Sequence, residues 1–381
     1  MNIRGWLGRL ILWALVPGAC IEPYDPPLDN SDINLLVVDG FINAGDGVAT
    51  VSLSRTQPVK DEEEAPRETG AQVFIQDGSQ NLFPLLEIET GVYQGTLPDM
   101  HREERYSLII VSKGQEYASD YVTIVETPEI DSITWSIKNN GVEFYVNTHD
   151  PSNESRFYRW KYSETYEYNS DFNSILKFGD DEIVARPPSE SIFTCWKTNQ
   201  STGILVGSTK HLEQSIVSRF PITFVPQGDI RIRVCYSLLV EQQALTEEAY
   251  EYWLSLEKST EHLGGLFDPL PSEVSGNIHC VSNPSETVIG YFGAGMLRES
   301  RMFLRRRELP LEVVGRFNGN QSCVLDTIAV NELDQIYEPT TVLVDAVYAP
   351  GAGLVGYTTA PIYCADCRTL GGNTVRPTFW E

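Results

Sequence analysis

Short runs in which apolar and polar residues alternate recur from residue 35 onward, and they predict β-strands. In residues 49–54 apolar side chains alternate with hydroxyls, and a similar run at 71–76 stops at the turn pair Asp77-Gly78. Successive side chains of a strand point to opposite faces, so such a run buries one face and leaves the other in solvent. Short strands at this spacing, separated by Gly, Asp and Asn, are typical of an antiparallel sandwich. We therefore predict an N-terminal immunoglobulin- or transthyretin-like β-sandwich over residues 34–126.

A proline-containing segment at residues 126–130 predicts a hinge between two domains. Beyond it, further strand-like runs over residues 127–381 predict a second β-sandwich region that ends in a cysteine-containing C-terminal tail. The predicted fold class is therefore mainly β, with tandem immunoglobulin- or transthyretin-like β-sandwich domains and one inserted helix.

That helix is predicted over residues 246–263, where the spacing of apolar residues changes from strand-like to helical. Thr246 is a residue type favoured at helix N-caps, and Glu247 and Glu248 follow in the first turn, where the helix dipole favours acids. Aromatic and aliphatic residues then recur at helical intervals until a Gly-Gly pair ends the pattern. We expect the apolar side of the helix to pack on a sheet.

One strand-like run of the second region is unusually aromatic. Tyr158, Trp160 and Tyr162 share one face of this strand, and Arg159 and Lys161 lie on the other. Two interpretations are open: a ligand platform that binds a sugar or a peptide, or a core strand whose tryptophan is buried between two sheets. We favour the core strand, because a buried tryptophan is common in sandwich domains.

The N-terminus has the three-part layout of a secretory signal. Two arginines form a cationic head, an apolar run follows at residues 10–16, and small residues precede Cys20. The apolar run is well short of the roughly 20 residues that a membrane-spanning helix needs. Small residues directly before a cysteine resemble the lipobox of bacterial lipoproteins, although Pro17 departs from the usual pattern. We predict a signal peptide at residues 1–19 and lipidation of Cys20; the alternative is an ordinary secretory signal with a chance cysteine.

The chain is strongly acidic, both after Cys20 and overall. Residues 20–33 are acidic and rich in proline, which predicts a tether between a lipid and the folded chain. The whole chain has 53 Asp and Glu against 28 Lys and Arg, a formal net charge of −25. Such a surface repels phosphate backbones, so we expect no nucleic-acid partner. It also repels anionic lipid, so membrane attachment is expected through a lipid anchor.

Six cysteines remain when the lipidation site is set aside, and an exported chain meets an oxidising compartment. We therefore predict disulfides, with the pairing left open. The candidates are Cys195, Cys235, Cys280, Cys323, Cys364 and Cys367. The alternative is a zinc site that uses the C-x-x-C pair at 364–367, but the chain lacks a second such pair at the spacing of a zinc ribbon.

Motifs for catalysis or cofactor binding are not evident in the sequence, and no cofactor, metal or catalytic residue is assigned. Residues 351–356 match G-x-G-x-x-G, but the residues after them are not helical, and a dinucleotide site needs a helix to open there. A glycine-rich loop is the better interpretation. The five histidines are scattered along the chain.

Several segments together resemble the DUF4249 family of Bacteroidota lipoproteins. They are residues 20–24, 36–40, 53–56, 274–278, 290–292 and the tail 364–380, with its cysteine pair, arginine, double glycine and Pro-x-Phe-Trp. The resemblance implies an outer-membrane lipoprotein of a kind often encoded beside TonB-dependent receptors. It supplies no catalytic residues.

The expected function is that of an outer-membrane lipoprotein, lipid-anchored at the cell surface or the periplasmic face. It would act as a non-enzymatic accessory or binding subunit of a TonB-dependent receptor in nutrient capture or uptake, with that β-barrel receptor as its partner. The first alternative is a surface adhesin or glycan-binding module, which rests on the aromatic strand. The second is a hydrolase whose site is not recognisable in the sequence.

Overall fold

The computed structural model describes residues 34–57, 65–98, 100–101, 103–179, 182–261, 276–315, 323–335 and 340–380. The predicted signal peptide at 1–19, the lipidation site Cys20 and the tether at 20–33 lie outside these residues. The mainly β prediction is confirmed: strands dominate and are arranged in several sheets. Within the described residues, no helix has both the length and the apolar composition that a membrane span requires.

The first sandwich begins with eight strands, most of which alternate buried and outward residues as the sequence predicts. They are β1 (Leu36–Asn43), β2 (Val48–Arg55), β3 (Gln72–Asp77), β4 (Leu82–Glu89), β5 (Val92–Thr96), β6 (Arg105–Ser112), β7 (Gln115–Ser119) and β8 (Val122–Thr123). Leu36, Val38 and Ile42 of β1 point inward and pack with Val51 and Leu53 of β2 in one core.

The second region contributes nine strands before its long helix. They are β9 (Ile130–Lys138), β10 (Gly141–Asp150), β11 (Phe157–Asn169), β12 (Leu176–Phe178), β13 (Ile183–Ala185), β14 (Thr194–Gln200), β15 (Leu205–Ser208), β16 (Ser215–Pro226) and β17 (Cys235–Leu245). A three-stranded sheet in the order β16-β10-β9 faces a second sheet that contains β14, β11 and β17, and the two enclose a core of their own.

Helix α1 (Glu247–Glu261) connects the two sandwiches. The Thr246 hydroxyl accepts a hydrogen bond from the Ala249 amide at 3.2 Å, which confirms the predicted N-cap. On the apolar side, Tyr252 packs against Tyr291 of the first sandwich with ring centroids 5.4 Å apart, and Trp253 packs with Val206 of β15 in the second. The helix therefore packs its apolar side between the two sandwiches, while Glu248, Glu251 and Lys258 on its other side are exposed.

After the helix the chain returns to the first sandwich as β18 (Ile278–Cys280) and β19 (Ile289–Gly295). β19 pairs in parallel with β1, and β18 pairs with β7 at the other end of the sheet, so ten strands surround the first core. The first sandwich thus includes β18 and β19, which lie within the region 127–381 predicted for the second sandwich, as well as the strands β1–β8.

Two glycines allow the chain after helix α1 to pack closely against the first sandwich. A Cβ at Gly290 would lie 2.3 Å from the Val38 carbonyl oxygen, and one at Gly276 would lie 1.5 Å from the Gly290 carbonyl oxygen. Asn277 then binds β19 through its amide: its Nδ2 donates to the Phe292 carbonyl and its Oδ1 accepts from the Phe292 amide, each at 2.8 Å. Only glycine allows the backbones to approach this closely.

The remaining elements complete the second sandwich and add a small third sheet. They are β20 (Arg298–Arg305), α2 (Leu311–Val314), β21 (Asp326–Ala329), β22 (Thr341–Ala349), β23 (Gly353–Pro361) and α3 (Ile362–Ala365), with short 3-10 helices at Pro188–Glu190, Ile230–Ile232, Arg306–Glu308, Val330–Gln335 and Cys367–Leu370. β20 pairs with β17, and the third sheet has the order β21-β23-β22. One long helix is therefore present among the described residues, as predicted, with two further α-helices of a single turn each.

A buried ion pair stabilises the first sandwich. Glu68 is only 2% exposed and accepts two hydrogen bonds from the Arg55 guanidinium, at 2.9 and 3.1 Å, one from Lys113 at 2.8 Å and one from the Ser112 hydroxyl. Burial alone would raise the pKa of Glu68, but the hydrogen bonds from Arg55, Lys113 and Ser112 outweigh it and lower the pKa to about 2.

We expect Glu68→Gln to lower the free energy of unfolding at pH 7 by about 3 kcal/mol, because Arg55 would be left buried without its anion. A depressed carboxyl pKa stabilises the fold above the unfolded value of 4.5, and this contribution is lost as the pH falls towards about 2. Urea titrations of both proteins between pH 7 and pH 2.5 should therefore show the difference shrinking with acid. Glu116→Gln, at an exposed position, is the control, and a difference that stays constant with pH would contradict this account.

Candidate functional site

A polar cleft lies at the seam between the two sandwiches. It forms because the outward face of β1 meets the outward faces of β11 and β17. In β1 the inward residues alternate with Asp39, Phe41 and Asn43, and in β11 the buried Trp160 lies between Arg159 and Lys161. The same two-residue period that builds both cores therefore places polar side chains opposite each other across the seam.

Asp39 is the central charge of this seam. Its carboxylate accepts a hydrogen bond from Lys161 Nζ at 3.0 Å, and Arg159 Nη1 lies 3.5 Å from its other oxygen. Burial opposes the charged form, but the attraction of Arg159 and Lys161 outweighs it and lowers the pKa of Asp39 below its ordinary value. Asp39 is therefore ionised at neutral pH and links a strand of one sandwich to a strand of the other.

Arg159 is also held by the long helix. Its guanidinium lies over the Trp253 ring, 3.4 Å from the ring centroid, and the side chain is almost fully buried. Arg159 thus contacts β1 through Asp39 and α1 through Trp253. This end of the cleft is fixed by packing, whereas Lys161 is about half exposed and faces the open part.

The open part of the cleft has a volume of about 270 Å3 and is lined mainly by polar side chains. They are Asp39, Asn43, Asp46, Thr50, Ser52, Gln94, Lys161, Glu241 and Gln243, with Phe41, Val48 and Leu297 beside them. Carboxylates, amides, hydroxyls and an ammonium together can donate and accept several hydrogen bonds, which suits a polar ligand.

Glu241 differs from Asp39 in its electrostatic environment. Burial raises its pKa, the neighbouring Glu299 raises it further, and Lys161 only partly offsets these effects. The cleft therefore contains two carboxyl groups whose pKa values are shifted in opposite directions. Such a pair is a feature of acid–base sites as well as of structural ion networks.

The alternative of a ligand platform on β11 is contradicted, because Tyr158 and Trp160 lie in the core. Trp160 is 1% exposed, Tyr158 is fully buried, and Tyr162 is half-buried at the edge of the same cluster. Trp160 stacks on Phe220 with centroids 4.2 Å apart. The favoured interpretation of this run as a core strand is confirmed.

The cysteine prediction is confirmed for four residues and corrected for two. Cys195 pairs with Cys367, and Cys323 pairs with Cys364. Cys235 and Cys280 are instead buried thiols. They belong to different sandwiches, β17 in the second and β18 in the first, and are not bonded to each other.

The zinc alternative fails for the C-x-x-C pair because each of its sulfurs is bonded to a different distant cysteine. Asp171 lies beside the sulfurs of Cys323 and Cys364, within 4.8 Å, but those sulfurs are joined in a disulfide and are not thiolates. The glycine-rich run at 351–356 is only partly the predicted loop: residues 351–352 form the turn between β22 and β23, and residues 353–356 begin β23. In this described part of the chain no helix opens directly after the run, so the geometry of a dinucleotide site is absent there.

Sequence reasoning did not single out the cleft residues. The one available signal was strand alternation: Asp39 lies between buried Val38 and Gly40, and Arg159 and Lys161 lie on the polar face of the aromatic strand. That signal predicts which face each residue occupies. It does not predict that the two polar faces meet.

The fold and the site define a two-sandwich protein with a polar interdomain cleft. Comparison with protein families then identifies the family to which the chain belongs. A family model described as Domain of unknown function (DUF4249) matches residues 21–301. The chain therefore belongs to the DUF4249 family. The match includes helix α1 and every residue that lines the cleft, whereas the tail at 364–380 lies beyond it. Comparison with curated proteins gave no match.

Proposed function

We propose that this chain is an outer-membrane lipoprotein that serves as a non-enzymatic accessory subunit of a TonB-dependent receptor in nutrient capture or uptake. The polar cleft is the observation that supports a binding role most directly. Its walls come from two sandwiches that are held together by Asp39, Arg159 and helix α1, so a ligand would meet a preformed site.

The anchored position is supported by the N-terminal sequence. Small residues precede Cys20, and an acidic, proline-rich stretch follows it. The family match begins at residue 21, directly after that cysteine. A lipid at Cys20 followed by a tether would hold the cleft near an envelope receptor.

The partner is tested by affinity purification of the tagged full-length chain from its native membranes after mild detergent extraction and crosslinking. We expect a β-barrel of the TonB-dependent type to co-purify with the wild type. Cys20→Ala should lose it because the chain no longer reaches the membrane. A wild-type chain that remains a clean monomer after crosslinking would contradict the proposal.

A glycan-binding module is the second candidate, and it now rests on the cleft instead of the aromatic strand. Amides and hydroxyls such as Gln94, Gln243 and Thr50 line the cleft beside Phe41, a combination that suits the hydroxyls and apolar faces of a sugar. On a glycan array we expect Gln94→Ala with Gln243→Ala to lose binding, whereas Gln214→Ala, at an exposed position elsewhere, should retain it. Wild-type chain that binds no glycan would remove this candidate.

The hydrolase alternative rests on Asp39 and Glu241, whose pKa shifts are opposite. Mass analysis of the arrayed glycans after incubation separates it from simple binding. Product that forms with the wild type and not with Glu241→Gln would favour hydrolysis, and unchanged glycans would exclude it for those substrates.

A further inference from the structure

The C-terminal hairpin formed by β22 and β23 has an uncharged, apolar end. Residues 346–357, which we name the apolar tip, contain no charged side chain, in a chain of which 21% of residues are charged. Tyr348 lies directly opposite Leu354 across the two strands. Tyr348 is 70% exposed, and Leu354 and Val355 are each 39% exposed, so large apolar side chains face solvent on neighbouring positions.

The root of the same hairpin is fixed. Val344 and Ala360 are buried in a small core with Cys364 and Ala365 of α3, and Leu343 next to them is also buried. The disulfides Cys323–Cys364 and Cys195–Cys367 join this core to the preceding chain and to β14 of the second sandwich. The tip is therefore presented on a rigid support, and little conformational entropy would be lost when it binds.

The charges around the tip indicate what kind of surface it fits. The chain between Cys323 and Cys367 contains no lysine or arginine, and its charged residues are all acidic, with exposed Asp345 next to the tip. Peripheral membrane contacts usually add basic residues to an apolar anchor, because lipid surfaces are anionic. Lys177 of β12, beside β22, and nearby Arg186 are already bound, by Glu190 and by backbone carbonyls respectively. The acidic chain that carries the tip thus disfavours lipid and favours a protein surface that is rimmed by lysine or arginine.

A second copy of this chain is also disfavoured. Each copy carries a net charge of −25, so two copies repel each other.

We propose that the apolar tip docks into an apolar socket, rimmed by basic residues, on the β-barrel receptor that this protein serves. The proposal rests on the proposed function and assigns its docking surface. Tyr348 would be the anchor, because tyrosine combines a large apolar ring with a hydroxyl and is frequent among residues that dominate binding energy. The cleft, on another part of the chain, would remain open to ligand.

The test compares variants of the full-length, lipidated chain in purification from native membranes. We expect Tyr348→Ser with Leu354→Ser to reduce the co-purified barrel roughly tenfold or more. Leu82→Ser with Leu86→Ser is the matched control, since both residues are exposed leucines of the first sandwich, and it should stay within about twofold. Asp345→Lys should also weaken the complex, because it places a positive charge against the basic rim. Circular dichroism should show that all variants fold, since the changed residues lie at the surface.

Each outcome of this purification either supports or contradicts the proposal that the apolar tip docks on the barrel. If the tip variant holds the barrel as well as the wild type does, the docking proposal is wrong and the proposed function stands. If the wild type holds no barrel, both fail together. Flotation of the Cys20→Ala chain with phosphatidylglycerol vesicles, if it depended on Tyr348, would assign the tip to the membrane instead, and crosslinks between two copies at Tyr348 would assign it to self-association.

Discussion

Replacement of Cys195 by alanine is expected to lower the free energy of unfolding by about 4–5 kcal/mol, the largest effect of any single substitution considered. The Cys195–Cys367 bond closes a loop with a sequence separation of 172 residues, so its loss frees a long stretch of unfolded chain. It also releases the C-terminal tail, in which Trp380 packs edge-on against Phe303 and donates a hydrogen bond to Glu167 at 3.0 Å. Denaturant unfolding of the oxidised protein measures the change.

Cys280→Ala is the control for this experiment, since Cys280 is a buried thiol outside any disulfide. It should cost only about 1 kcal/mol, from the small cavity that it leaves.

Alkylation of the unfolded, unreduced chain should label Cys235 and Cys280 and leave the other four sulfurs of the folded region unlabelled. Equal losses for Cys195→Ala and Cys280→Ala would contradict the pairing.

Trp160→Ala is expected to destabilise the second sandwich by about 4 kcal/mol. The indole fills the core between the two sheets against Phe220, and its N–H donates to Gln242 Oε1 at 2.8 Å. The substitution leaves a large cavity and removes the partner of a fully buried amide oxygen. Urea unfolding monitored by circular dichroism measures the loss.

Tyr162→Ala, two residues along the same strand, is the matched control and should cost less because Tyr162 is only half-buried. The two interpretations of this strand give opposite results for Trp160. A core residue costs stability when removed, whereas a platform residue would leave stability unchanged and abolish ligand capture.

The sequence predicts most of the local structure and little of what assembles the site. Strand alternation and the Thr246 cap depend on neighbouring residues, so the strands of the first sandwich and helix α1 follow directly from the chain. The parallel pairing of β19 with β1 joins segments that are far apart in sequence, and nothing in either strand specifies its partner. The Asp39–Lys161 contact depends on that assembly and could not be read locally.

The pairing of the cysteines likewise could not be predicted from the local sequence. Their number and the exported setting predict disulfides, but the pairs are selected by where the tail packs. Cys367 reaches β14 because residues 367–373 lie along that strand, where Asn373 and Trp196 exchange backbone hydrogen bonds. Cys235 and Cys280 stay thiols because their strands belong to separate cores.

Whether the chain is anchored in the envelope at all is tested most directly by the mass of its N-terminal peptide, isolated from native membranes. The account predicts a chain that begins at Cys20 and carries a diacylglyceryl group on the sulfur, recovered in the detergent phase with the outer membrane. An unmodified Cys20 thiol on a protein recovered entirely in the aqueous phase would contradict it.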